Sequence, residues 1–75
     1  MLMPDSALRI LSAGGGLIVE SDAFMPDTLE QMAAAAARSG ARLTIRVNSV
    51  MLPDTMTRIG AAGRGHVEFD VTEQN

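Results

Sequence analysis

The chain has 75 residues, a mass of 7.9 kDa and a net charge of -3, with no cysteine, tryptophan or tyrosine. One small domain fits in that length, no disulfide reinforces it, and a thiol nucleophile or thiolate metal site is excluded. All six basic residues are arginine, which removes chemistry that needs a lysine amine, and the acidic balance argues against the basic footprint of general nucleic-acid binding.

Phe24 and Phe69 are the only aromatic residues, and eleven of the hydrophobic residues are alanine, so the core is light. A chain this small buries roughly 60% of the surface its unfolded form exposes, so self-association is expected to supply part of the missing stability. No apolar stretch approaches the roughly 20 residues of a membrane span, and no basic region precedes Pro4. A cytoplasmic, bacterial-type protein without a membrane segment is the expectation.

One phrase occurs three times: Met3-Pro4-Asp5-Ser6, Met25-Pro26-Asp27-Thr28 and Leu52-Pro53-Asp54-Thr55. It divides a single domain, residues 1–75, into three units, 3–24, 25–51 and 52–75. In the first unit Ala7, Ile10 and Leu11 follow the aspartate with the spacing of one helix face. That helix meets Gly14-Gly15-Gly16, which suits a left-handed C-terminal cap, and an alternating strand follows over Leu17 to Glu20. The second unit repeats the pattern with Leu29, Met32 and Ala33, a break at Ser39-Gly40 and a strand from Leu43 to Val47. Its run Ala33 to Ala37 adds about one helical turn. The third unit has Met56, Ile59 and Gly60, a break at Gly63-Arg64-Gly65 and a strand from Val67 to Val71. Each helix starts at the Pro-Asp step. Either the aspartate is the N-cap, with Asp27 and Glu30 spaced as a capping box, or proline takes the first helical position and aspartate the second.

Helix then strand, three times over, predicts an α/β fold: a three-stranded parallel sheet in the order 1-2-3 with the helices on one face, a short solenoid. Leu17, Val19, Leu43, Ile45, Val47, Val67, Phe69 and Val71 then point to the helices. Ile18, Glu20, Thr44, Arg46, Glu68 and Asp70 point away. Aligned in register, one outward row reads Glu20, Arg46, Asp70, with an arginine between two acids, a pairing that favours this register over a slipped one.

The segments Leu17-x-Val19-x-x-Asp22-x-Phe24 and Leu43-x-Ile45-x-x-Asn48-x-Val50 resemble the L-x-L-x-x-N-x-L strand segment of leucine-rich repeats. The third unit departs from it, with Thr72 at the polar position, and Gly14, Gly40 and Arg64 stand where the family has a leucine. Repeat lengths of 22 and 27 residues fall within the range of helix-containing members. The resemblance implies that the polar residue turns inward at the bend, that the last apolar residue closes the core, and that the protein is a non-catalytic scaffold contacting other proteins on its exposed sheet. That face offers Ile18, Glu20, Thr44, Arg46, Glu68 and Asp70. A merely solvated, charged face is the alternative.

Other residues invite other chemistry. His66, the single histidine, has no partner by spacing for catalysis or metal binding and reads as a surface residue. Asp5, Asp27 and Asp54 lie side by side along one edge, which helix capping explains without a metal. The glycine runs follow helices, the wrong end for a phosphate cradle. Arg38, Arg42 and Arg64, with His66, gather where helices end and strands begin. They complement the negative helix ends, or form an edge for an anionic partner or a short stretch of RNA. Six methionines read as gap fillers of an aromatic-poor core, with Met25 and Met51, each next to a Pro-Asp turn, expected to be partly exposed.

The sheet ends in two open edges. A homodimer is expected, formed by antiparallel pairing of the third strand, Val67, Glu68, Phe69, Asp70 and Val71, with its symmetry mate, or by helix packing through Leu8, Ile10 and Ala34. The functional expectation is a small non-catalytic module for self-association and protein contacts, needing no cofactor. An anion or RNA binder through the arginine edge is the second reading, and a small enzyme or enzyme subunit the third.

Overall fold

A computed structural model of the chain describes residues 2–48 and 50–71. Three helices alternate with three strands: α1 (Pro4–Ser12), β1 (Leu17–Glu20), α2 (Pro26–Ser39), β2 (Leu43–Arg46), α3 (Pro53–Gly63) and β3 (Val67–Asp70). The strands form one parallel sheet in the order β1-β2-β3. Its register sets Leu17, Leu43 and Val67 level with one another, and likewise Glu20, Arg46 and Asp70. The α/β repeat architecture legible in the sequence is therefore the fold.

Each helix begins the same way, and the local chemistry says why. Proline occupies the first position, where its missing N–H costs nothing and its fixed φ is already helical. The residue before it is forced into extended backbone, with ψ of 153° at Met3 and Met25 and 141° at Leu52. These three apolar residues are the N-caps, and no side chain accepts a bond from the first turn. Of the two starts open to the aspartates, the structure takes the second: they lie one place inside the helix, where their charge faces its positive end. Nor do Asp27 and Glu30 form a capping box. Both turn to Arg58 on α3, at 3.6 and 2.9 Å.

The helix ends differ from the expectation of a glycine cap at each. Only α2 ends on one, Gly40, with φ of 81°. Ala13 follows α1 in right-handed backbone, leaving Gly14 to take the positive φ one residue later. Arg64 follows α3 with φ of 50°, the one described non-glycine residue in left-handed backbone.

The core lies between the helical layer and one sheet face. Leu11, Leu29, Met32, Leu43, Ile45 and Ile59 are its largest fully buried side chains, each contributing about 1.5–3 kcal/mol through burial. Leu17, Phe24, Val67 and Phe69 pack against them while staying half-buried. Three apolar positions depart from their expected place. Ile10 is exposed on α1, the third strand stops at Asp70 and leaves Val71 exposed, and Val50 is 95% exposed, so it does not close the core.

Main-chain and side-chain bonds fasten unit to unit. Ser39 Oγ, at the end of α2, donates to the Leu11 carbonyl in the last turn of α1 and accepts the Ala41 N–H at 3.3 Å. At the far end of the sheet the buried Ser21 Oγ donates to Asn48 Oδ1 at 2.7 Å and accepts the Asn48 N–H at 3.1 Å.

Candidate functional site

The sheet has one face under the helices and one without a covering layer among the described residues. Strand alternation sends Ile18 and Glu20, Thr44 and Arg46, and Glu68 and Asp70 to the bare face, so the structure brings together all six residues expected there. Ile18 is 70% exposed at the β1 side. A shallow, open depression of about 540 Å³ runs beside it, lined by Ile18, Thr44, Glu68, Phe69, Asp70 and Val71.

Charges on this face are arranged in pairs across strands. Arg46 Nη1 lies 3.7 Å from Glu20 Oε2, and Asp70 is the register partner of Arg46 on the other side. Arg42 Nη1, just before β2, lies 3.7 Å from Glu68 Oε1. All four paired side chains are about half exposed or more, which holds each pair to well under about 1 kcal/mol. They therefore orient the face more than they stabilise it. The basic column belongs to the central strand, and acids flank it on both sides.

The polar residues after β1 and β2 come together as well, in a different manner from the resemblance to leucine-rich repeats. Asn48 Nδ2 donates to Asp22 Oδ1 at 3.0 Å. Both residues are exposed, so this is a surface link between neighbouring units and not an inward turn that satisfies buried backbone. Thr72 of the third unit lies outside the described residues.

At the opposite end of the sheet, Arg38 and Arg64 are exposed, Arg42 is engaged by Glu68, and His66 is half-buried with Nδ1 3.1 Å from the Ala41 carbonyl. The histidine is thus tied to main chain between two strands and faces no serine or carboxylate in that contact. One member of the arginine edge is already partly neutralised by its acid. Among the described residues, no group of three or more His, Asp or Glu side chains is placed to hold a metal ion. Nor is any helix long and apolar enough to cross a membrane.

Of a second exposed set, sequence reasoning singled out Met25 alone. Met3, Met25 and Leu52, equivalent positions of the three units, are all largely exposed at the ends of the helices nearest the C-terminal ends of the strands. The signal was present in the repeated phrase, whose first residue is apolar every time. Met51 is half-buried against the core, partly exposed as expected, and Met25 is more exposed still.

No family model matches the chain, and no curated protein or solved structure is significantly similar to it.

Proposed function

We infer that this chain is a small non-catalytic protein-contact module that meets its partners on the sheet side and also self-associates. One observation carries this reading. Parallel sheets are ordinarily covered on both faces, yet here the outer face is bare among the described residues and leaves Ile18 exposed beside a shallow depression. An exposed branched residue at one side of the face, beside cross-strand charge pairs, suits a contact surface.

Self-association is a second contact of the same module, by the helical route expected from the sequence. Of the helix residues proposed for it, Ile10 is exposed, whereas Leu8 packs against the core and Ala34 is half-buried. The helical route therefore depends on Ile10.

A photo-crosslinking residue at position 18, compared with one at the exposed Ala61 of α3, tests the assignment in cells producing the chain. Protein adducts from position 18, abolished by Arg46→Glu in the same chain, are expected. Adducts absent from 18, or equal from 18 and 61, overturn the reading.

A further inference from the structure

The sheet ends at β3 among the described residues, and the backbone there has a definite polarity. Leu43 donates its N–H to the His66 carbonyl at 2.9 Å, and Val47 donates to the Asp70 carbonyl at 2.8 Å. His66, Glu68 and Asp70 therefore turn their main-chain groups toward β2. Because a strand alternates, Val67 and Phe69 turn theirs to the open edge, where a further strand would pair. Their side chains point inward, and both remain half-buried, while Leu43 and Ile45 one strand away are fully buried. The edge thus offers main-chain bonds together with apolar surface that an added strand would cover.

The outer side of the same edge is acidic. Glu68 and Asp70 form its column, level with Thr44 and Arg46 of β2, so that one row already reads acid, arginine, acid across Glu20, Arg46 and Asp70. The next place in that alternation calls for a base. Glu68 has its Arg42 contact on the β2 side and a side chain still 60% exposed. A carboxylate has about four acceptor sites, enough to take a second cation.

We propose that the β3 edge binds, by strand addition, an extended peptide segment with lysine or arginine at alternate positions and apolar residues between them. The proposal rests on reading the sheet side as the contact surface. An antiparallel segment makes its hydrogen-bonded pairs with Val67 and Phe69, which leaves Glu68 and Asp70 in the non-hydrogen-bonded pairs. In those pairs opposite Cα atoms approach to about 4.5 Å, the closest cross-strand distance. Unlike charges are favoured there, and like charges repel. The same geometry works against a second copy of β3: with the twofold axis at Phe69, Glu68 of each copy meets Asp70 of the other. A second copy is accordingly an outcome of the test and not the occupant.

The probe is a short capped peptide alternating lysine and valine, titrated into the isotope-labelled full chain and followed by amide chemical shifts. Shift changes concentrated at residues 66–70, with affinity falling at least about tenfold between low and high salt, are expected. N-methylation of the central valines, which removes the pairing N–H groups and spares every charge, is expected to cost at least about tenfold. A glutamate-valine peptide is expected not to bind, and Glu68→Lys with Asp70→Lys is expected to reverse that preference. No change at 66–70 with the lysine peptide overturns the proposal. Undiminished binding of the N-methylated peptide also overturns it, as do the same shifts produced by raising the chain concentration alone. Adducts from position 18 that persist after such a failure leave the contact-module reading standing, whereas loss of both removes it.

Discussion

A methyl group on Gly63 would sit 2.9 Å from Cβ of Val67 and 3.5 Å from Cβ of Ala33, so the last helical residue of α3 touches both β3 and α2 through its bare Cα. Gly60, one turn earlier, has no such neighbour: the space where its Cβ would stand is open. The same substitution at the two sites therefore has opposite signs. Gly60→Ala is expected to stabilise the fold by about 0.5–1 kcal/mol, through helix propensity alone. Gly63→Ala is expected to destabilise it by about 1–3 kcal/mol through overpacking. Val67→Ala in the Gly63→Ala background is expected to recover part of the loss, a coupling that urea denaturation of the four-member cycle measures. Equal effects at 60 and 63 would contradict the packing assignment.

The Ser21, Asn48 and Asp22 chain of bonds predicts sensitivity to one atom. Asn48→Asp replaces the donor that faces Asp22 with a second acceptor, and two carboxylates then oppose each other. A loss of about 1–2 kcal/mol, eased by salt, is expected from thermal unfolding. Asn48→Ala, which removes the bonds without adding charge, is expected to show no salt dependence beyond that of the parent chain.

Helix α2 begins without a side-chain cap because Met25 occupies the N-cap position. Met25→Ser supplies a hydroxyl to the orphan amides of the first turn. An increase in stability of about 0.5–1 kcal/mol is expected. The gain should appear in the denaturation midpoint without a change in slope.

Arg64 holds left-handed backbone at the end of α3, a conformation that disfavours any residue with a Cβ. Arg64→Gly is expected to raise stability by about 0.5–1 kcal/mol, read as a higher unfolding temperature. Arg64→Val, whose branched Cβ tolerates that region least, is expected to lower it by more than the glycine raises it.

Much of this fold is legible in the sequence, and for one reason: the Pro-Asp phrase recurs, so three weak helix signals reinforce one another. The alternation of the strands then set the register, down to the row Glu20, Arg46 and Asp70. Other features depend on three-dimensional neighbours that no local pattern encodes. A Pro-Asp step is compatible with two cap positions, and only the helical backbone itself decides between them. Glycine at 63 reads as a cap by composition, whereas its role is contact with Val67 and Ala33, leaving Arg64 to adopt the left-handed turn. The six outward residues of the sheet were readable because alternation is a rule of the strand. In the exposed row of Met3, Met25 and Leu52 only Met25 was legible, because apolar side chains beside a helix start otherwise resemble core.

Eight of the twelve buried hydrophobic residues described here, from Leu29 to Ile45, belong to the middle unit, and β3 contributes none. Stability in such a stack is distributed as a gradient from the centre outward, and cooperative opening starts at the ends. Amide hydrogens of β3 should then exchange well before those of β2, by fluctuations smaller than global unfolding. A strand added in trans would lengthen the stack by one, converting its frayed end into interior, so occupancy of that edge would be readable as slowed exchange in α3 as well as in β3.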